Sequence, residues 1–467
     1  MNILFIVHRI PYPPNKGDKI RSFNELKYLS RKHSIYLAFL IDDERDLAYL
    51  DELKRYCVSI DYDIIKPRWQ KVKVFPYLFT DKPLSVPYFY SKKLQDAIDR
   101  RLRESRIDTI MCFSSPMAEY VFKSKALEVR SLRLLGQNNC SKRAIAALAQ
   151  NNSNISNNLN ESNIRDCPQL IMDFVDVDSD KWRVYAGFSP FPFSQIYKRE
   201  WKRLRSYEKR IGEIFDWSIF VSEKEIELFK SFCPEASAIS IPNGVNYDFY
   251  RDVRNARDIQ IEQAKRSNNS NILNERSNRT SEAVEQFEHL PQAKRSNILF
   301  MGAMDYFPNE DAVIYFSSEI WPYIKKELPQ AKFYVVGRNP SRWVRMLTKK
   351  DPHIVVTGYV TDVRHYLENA DVFVAPLRVA RGVQNKVLEA MAAGVPVVAR
   401  PEAVQGLDGF NGCLKVEEDN EKFALSIFKI IRAPHKRHKM VNDSKRFILE
   451  NHSWEENLKK FEEIING

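Results

Sequence analysis

The stretch RGVQNKVLEAMAAGVPVVA, Arg381 to Ala399, holds most of a fold in nineteen residues. A charged, glycine-marked start leads into a short amphipathic helix whose only acid is Glu389, set among small and apolar residues. Gly394 stops that helix, and the Val-Pro-Val-Val-Ala run after it reads as a buried strand. With the helix starting near Gly382, its unpaired N–H groups and positive dipole end face whatever lies beyond the preceding strand, which makes an anion site. Glu389 then lies seven residues further in, about 10 Å at 1.5 Å per residue. A carboxylate there can accept both hydroxyls of a ribose whose phosphates sit at the helix start. Arg378, Arg381 and Lys386 supply cations suited to a diphosphate. The plainer alternative is a solvated helix face that happens to hold one Glu and one Lys.

Outward from this stretch, strand-sized apolar runs alternate with helix-period segments. NILFIV, SIYLAFLI, DTIMCF, LIMDFV and WSIFVS occupy the first half, and NILFMG, KFYVVG, HIVVTG, DVFVAP and PVVA the second. Continuous apolar runs separated by helices indicate parallel sheets covered on both faces. Two such series predict an α/β chain of two doubly wound, Rossmann-like domains. The first spans residues 1–241 and the second 297–450. Segments 145–168 and 252–296 are rich in Asn and Ser and too poor in large apolar residues to offset their ordering entropy. Both are expected to be disordered insertions, the second within a linker over 242–296. Residues 451–467 read as a final helix, with Ser453 as N-cap and Glu456 completing a capping box, that crosses back to the first domain.

Composition agrees and narrows the partners. A chain of 467 residues, 44% hydrophobic and 28% charged, is globular and large enough for two or three cores. No apolar run reaches a membrane span, and Met1 leads straight into a strand, so no secretory signal is expected. Cysteines 57, 112, 140, 167, 233 and 413 are scattered, which points to reduced thiols in a cytoplasm and away from zinc or iron–sulfur sites. The net charge of +11 favours polyanionic company.

Beyond spacing, Glu389 to Val398 is similar to the Glu-Ala-Met-Ala-x-Gly-x-Pro-Val-Val signature of family-four retaining glycosyltransferases. The resemblance implies the GT-B fold, two facing Rossmann-like domains with a cleft between them. It also implies a nucleotide-diphosphate sugar as donor, with no other cofactor and no metal. It gives Glu389 the donor ribose. A second Glu is usual eight positions earlier; Arg381 stands there, so the sugar contact of that Glu does not carry over. HRIPYPPNKGDKIRS resembles the loop after the first strand, with Gly17 near the donor phosphates and Asp18 where a second glycine is common. NILFMGAMDYFPNEDAV resembles the donor domain's first strand and loop. Gly302 lies in it, and Met304 and Asn309 fall in slots that often hold Arg and Lys. The missing charge would come from Arg338, Arg378, Arg381 or Lys386, with Gly382 at the helix start. TGYVTDVRHYLENADVFVAP resembles the segment whose backbone, near Val360, reads the base edge. Together with DFVDVDSDKW, these stretches resemble the sugar transferases of exopolysaccharide and PEP-CTERM/exosortase systems. That implies a saccharide or lipid-linked saccharide acceptor at the inner face of the plasma membrane. Two rivals stand beside this reading, a non-catalytic polysaccharide or polyanion binder of the same fold and a sugar-nucleotide epimerase.

Asp173 near the end of the LIMDFV strand, and Asp176, Asp178 and Asp180 after it, would face a crevice at its carboxyl end. Asp176 or Asp178 would orient an acceptor hydroxyl; alternatively Asp178 or Asp180 simply caps the next helix. Asp18 would touch acceptor or donor sugar, or shape a turn. His8 ends the first strand, and His365 is expected to be exposed. Residues 66–103 hold ten basic against three acidic residues, and 198–210 seven against two, both with interleaved aromatics. Such clusters suit anionic lipid headgroups, a nucleic-acid groove or ordinary solvated helix faces; the lipid-linked acceptors that the resemblance implies favour an anionic membrane surface, and nucleic acid is not among the expected partners.

Overall fold

A computed structural model describes residues 1–127, 168–251, 253, 296–380 and 382–466. The two expected insertions fall almost wholly outside the described residues, as do Arg381, Cys140 and Cys167. The chain divides into one unit of Met1–Asn243 with Glu455–Gly467 and a second of Gly244–Trp454.

In the first unit the strands are β1 Asn2–Val7, β2 Ser34–Ile41, β3 Ser59–Ile64, β4 Thr109–Phe113, β5 Gln169–Val175, β6 Trp217–Phe220 and β7 Ala238–Ser240. They form one parallel sheet in the order β3-β2-β1-β4-β5-β6-β7. All five residues of β4, and all but the first of β1, are buried, as strands covered on both faces must be. The order reverses between β1 and β4, so the crevice beyond their carboxyl ends is the natural place for a ligand. The Gly17–Leu29 helix packs behind it and holds a deeply buried cation. Arg21, fully enclosed, donates to Asp173 (2.7 Å), to the Ile241 carbonyl (2.8 Å) and to Asn243 Oδ1 (3.0 Å), with Glu25 at 2.9 Å. The C-terminal Trp454–Asn466 helix is tied to this sheet. Gln169 donates to the Ile464 carbonyl (2.6 Å), and Lys460 and Asn457 donate to the carbonyls of Ser240 and Pro242.

The second unit contains β8 Asn297–Met301, β9 Lys332–Val336, β10 Ile354–Gly358, β11 Val372–Ala375, β12 Val397–Ala399 and β13 Lys415–Val416. Its parallel sheet has the order β10-β9-β8-β11-β12-β13, reversing between β8 and β11. Every apolar run singled out in the sequence is a strand. β3, β7 and β13 were not among them. Among the described residues no helix is long and apolar enough to cross a membrane, and no group of three His, Cys, Asp or Glu is placed to hold a metal ion.

Candidate functional site

In the second unit the chemistry gathers where β8 and β9 end. The backbones leaving the two strands nearly touch: a Cβ on Gly337 would lie 1.7 Å from the Gly302 carbonyl oxygen, and one on Gly302 would lie 2.6 Å from Asn309 Nδ2. Glycine at 337 therefore lets the two strand exits touch, and glycine at 302 lets Asn309 fold beneath the β8 exit. Asn309 belongs to the Phe307–Tyr315 helix and donates to the Ala303 carbonyl (2.9 Å), which turns its Oδ1 towards the ammonium of Lys386. Lys386 also lies 5.2 Å from the Phe300 ring. Position 309 thus carries no cation of its own, but its asparagine seats the ammonium of Lys386. Burial brings the Lys386 ammonium down to about 8, against the pull of Glu389. Burial likewise lifts the Glu389 carboxyl to about 7, with Lys386 opposing. The two stand three residues apart, on one helix face. The phenol of buried Tyr250 is pushed up by its own burial and then by the charge of Glu389.

The structure corrects the helix itself. It runs Asn385–Ala392 with Gln384 at the N-cap, and Gly382 lies outside it at φ 60. Glu389 is therefore four residues in, about 6 Å along the axis. Arg378 is also not the free cation expected. Both its terminal and its ε nitrogen grip the Asp311 carboxylate, and its guanidinium lies 4.5 Å over Tyr315. Arg338, at the β9 exit, has no side-chain hydrogen bond or ion pair among the described residues, while its carbonyl accepts from Met304 N–H (2.9 Å). Met304 itself is buried in the core. Val360 sits two residues past the end of β10, half-buried beside exposed Tyr359.

In the first unit Asp18 is already committed. Arg9 donates to its Oδ2 at 2.9 Å and His8 Nε2 lies 3.1 Å away. Burial would raise this carboxyl, but His8 and Arg9 together hold it far below the usual range. Exposed Gly17 opens the helix just before it. Asp173 is spent on Arg21 rather than on the crevice.

Two non-glycine residues at neighbouring strand ends adopt left-handed backbone, Ser114 after β4 (φ 77) and Val175 at the β5 bulge (φ 68). A β-branched residue there costs of the order of 1–3 kcal/mol, and such strain tends to collect at functional sites. It delivers Asp176 and Asp178 into the same corner. Burial and the charge of Asp178 lift Asp176 to about 6, and its buried Oδ1 has no hydrogen-bond partner among the described residues. Burial also raises Asp178, opposed by Lys181, His8 and the Ser115 hydroxyl. Neither Asp178 nor Asp180 caps the next helix. Asp178–Phe188 begins from Val177 without a side-chain cap, and Asp180 pairs with Arg183.

Sequence reasoning missed the two acids that hold this loop. Glu225 accepts from Val177 N–H (2.8 Å) and Glu208 from Ser179 N–H (3.0 Å). Glu208 hid inside the basic run KREWKRLRSYEKR, where only its place on the inward face of a helix distinguishes it. Burial pushes Glu208 up to about 8, and Glu225 to about 7 with help from the charge of Asp176. A carboxyl raised on folding gives up stability as pH climbs from its unfolded to its folded value. Unfolding free energy should therefore fall between about pH 5 and 8, by at most about 1.4 kcal/mol per pH unit for each such group. Glu208→Gln, which keeps the acceptor for Ser179, is expected to flatten that slope in denaturation curves taken across this range. An unchanged slope would assign the pH dependence elsewhere.

Comparison with known proteins falls on this geometry. Residues 295–433 match the family model described as glycosyl transferases group 1. The matched segment carries Gly302, Asn309, Arg338, Lys386 and Glu389. An uncharacterized glycosyltransferase of Methanocaldococcus jannaschii is 29% identical over 101 residues, 21% of this chain, and the match spans 25% of that relative's length. Among solved structures, sucrose-phosphate synthase from Thermosynechococcus elongatus resembles the chain with TM-score 0.65 at 15% identity, over 100% of this chain and 98% of that one. Anabaena HepE in complex with UDP-glucose gives 0.58 at 13% identity, over 100% and 99%. WaaG, a glycosyltransferase involved in lipopolysaccharide biosynthesis, gives 0.55 at 13%, over 100% of both chains. The fold is thus that of GT-B structures, two Rossmann-like parallel-sheet domains.

Proposed function

We propose that the protein is a retaining glycosyltransferase that moves a sugar from a nucleoside-diphosphate sugar to a hydroxyl of a saccharide or lipid-linked saccharide, in the assembly of exopolysaccharide or other cell-surface glycans. The carrying observation is the pair on the Asn385–Ala392 helix, Lys386 seated on Asn309 and Glu389 one turn on, at the strand reversal of the second unit. In this reading Glu389 accepts the two ribose hydroxyls, while Lys386, Arg338 and the helix start neutralise the diphosphate. Gly302 and Gly382 let backbone approach the phosphates, and Val360 offers main-chain atoms to the base. Asp176 and Asp178 orient the acceptor, with Asp18 holding His8 and Arg9 beside them. As the acceptor oxygen bonds to the anomeric carbon, the bond to the phosphate oxygen breaks. The departing phosphate takes the acceptor's proton, so no protein base, metal or further cofactor is called for. That a structural neighbour was solved with UDP-glucose makes uridine the first base to try.

A thermal-shift screen with UDP, GDP, ADP and their sugars, followed by nucleotide release with saccharide acceptors, tests this. No release from any donor would favour the polysaccharide or polyanion binder, and conversion of a donor without an acceptor would favour an epimerase. Glu389→Ala should weaken nucleoside-diphosphate binding by about 2–3 kcal/mol, the scale for leaving hydrogen-bonded groups unpaired. Inorganic pyrophosphate should bind the variant as it binds the parent. Equal losses for both ligands would refute the ribose role.

A further inference from the structure

Two exposed aromatic prominences in the first unit lie outside the site described above. The first is the Pro67–Val74 helix with the 3₁₀ turn Phe75–Phe79, which leaves Trp69 70% and Phe79 82% exposed, with Val72 and Phe75 also in solvent. The second is the tip of the hairpin formed by the helices Asp178–Phe188 and Phe193–Ile214, where Phe191 is 81% exposed between exposed Phe188 and Phe193. Arg199, about 9 Å along the second hairpin helix from Phe193, donates to the carbonyls of Thr80 (2.6 Å) and Lys82 (3.2 Å). The two prominences are therefore neighbours. Both grow from the carboxyl rim of the sheet, one after β3 and one after β5.

Basic residues dominate their exposed charge, and Asp81 at the end of the first is paired with Arg203 (3.4 Å). The Pro67–Val74 helix contains no acid, and Lys66, Arg68 and Lys71 are exposed without ion pairs among the described residues. Exposed Lys198 and Lys202 flank the hairpin tip. A recess of about 360 Å³ opens beside Trp69, with Lys66, Lys73, Lys92, Tyr90 and one acid, Asp63, in its lining. Clustered large apolar side chains standing in water mark an interaction surface. Protruding rings rimmed by unpaired lysines and arginines match the interface of an anionic bilayer, with the rings in the acyl boundary and the cations among the headgroups.

We propose that these two prominences dock the protein on the surface of an anionic lipid bilayer. The rim that carries Asp176 and Asp178 then lies next to the membrane. The docking does not depend on the donor assignment.

Cosedimentation of the full chain with vesicles tests it. Vesicles containing phosphatidylglycerol should bind the protein at low salt and release most of it at about 0.5 M salt, where charges are screened within a few ångströms. Pure phosphatidylcholine should bind it weakly. The double variant Phe79→Ser, Phe191→Ser should partition about a hundredfold less, since each ring buried is worth about an order of magnitude. Lys66→Gln with Lys71→Gln should cost about tenfold on anionic vesicles only. Nucleotide-induced thermal shifts should be the same in every variant, which separates this outcome from failure of the donor site. Absence of binding to anionic vesicles at low salt would overturn the proposal, as would binding that ignores loss of the two rings. Tight binding of a single-stranded oligonucleotide in place of vesicles, unaffected by the phenylalanine changes, would overturn it too and assign the surface to a soluble polyanion.

Discussion

Replacing Arg21 by methionine should lower the stability of the first unit by about 3–5 kcal/mol, the cost of leaving buried partners without their counter-charge. The guanidinium is fully enclosed and answers Asp173 and Glu25, both equally enclosed. Burial, and then the neighbouring charge of Asp173, raise the Glu25 carboxyl well above its ordinary value. One guanidinium thus faces two enclosed carboxyl groups, and burial favours the proton-bearing form of Glu25. Methionine fills the space but strands Asp173, and it also removes the donor to Ile241 and Asn243, where the chain leaves this unit. Calorimetry should show the first unit melting about 10 °C lower, given 2–4 °C per kcal/mol for a domain of this size. Adding Asp173→Asn should recover part of the loss, because it removes the stranded charge. A melting point within 2 °C or so of the parent would mean that the triad contributes little, since that corresponds to about 1 kcal/mol or less.

The second large effect is expected at Lys386. Lys386→Ala should reduce turnover by about 10²–10³, the loss typical when one preorganised group that stabilises developing negative charge is removed. The pH dependence separates this role from a structural one. With the ammonium at about 8, donor binding should weaken as pH rises through that value, because a neutral amine no longer attracts the diphosphate. With the Glu389 carboxyl at about 7, binding should also weaken as pH falls below it, because a protonated acid can accept from one ribose hydroxyl but not two. Affinity for a nucleoside diphosphate should thus be greatest between about pH 7 and 8. Lys386→Ala should erase the alkaline limb and keep the acidic one, while Glu389→Gln does the reverse. Titration calorimetry at four or five pH values reads both. Two limbs that survive in Lys386→Ala would remove the lysine from the phosphate site.

Much of this was legible without coordinates, and the reason is locality. A strand buried on both faces needs an unbroken apolar run, so β1, β2, β4 and β8 declared themselves. The acid one turn inside the Asn385–Ala392 helix and the glycine-marked strand exits are likewise set by neighbours in sequence. Where half of a strand faces water the signal fades. β3, SIDYDI, is an edge strand of mixed burial, and β7 and β13 are too short to carry a period. The start of the Asn385–Ala392 helix was misplaced because Gly382 can open a helix or turn left-handed, and only the surrounding backbone chose the latter.

Pairing between distant residues is decided by the sheet that brings their strands together, and the one-dimensional pattern carries no trace of it. Asn309 and Lys386 meet across 77 positions, Arg378 and Asp311 across 67, and Arg21 and Asp173 across 152. A sequence can offer four cations for one diphosphate. Only the fold gives one of them to a carboxylate, seats another on an asparagine and leaves a third without a side-chain partner among the described residues, because charge follows distance in space and burial sets its strength. By itself, then, the sequence determined the two parallel-sheet units and the helix that carries Glu389. The tertiary structure decided which charges remain free to meet a ligand.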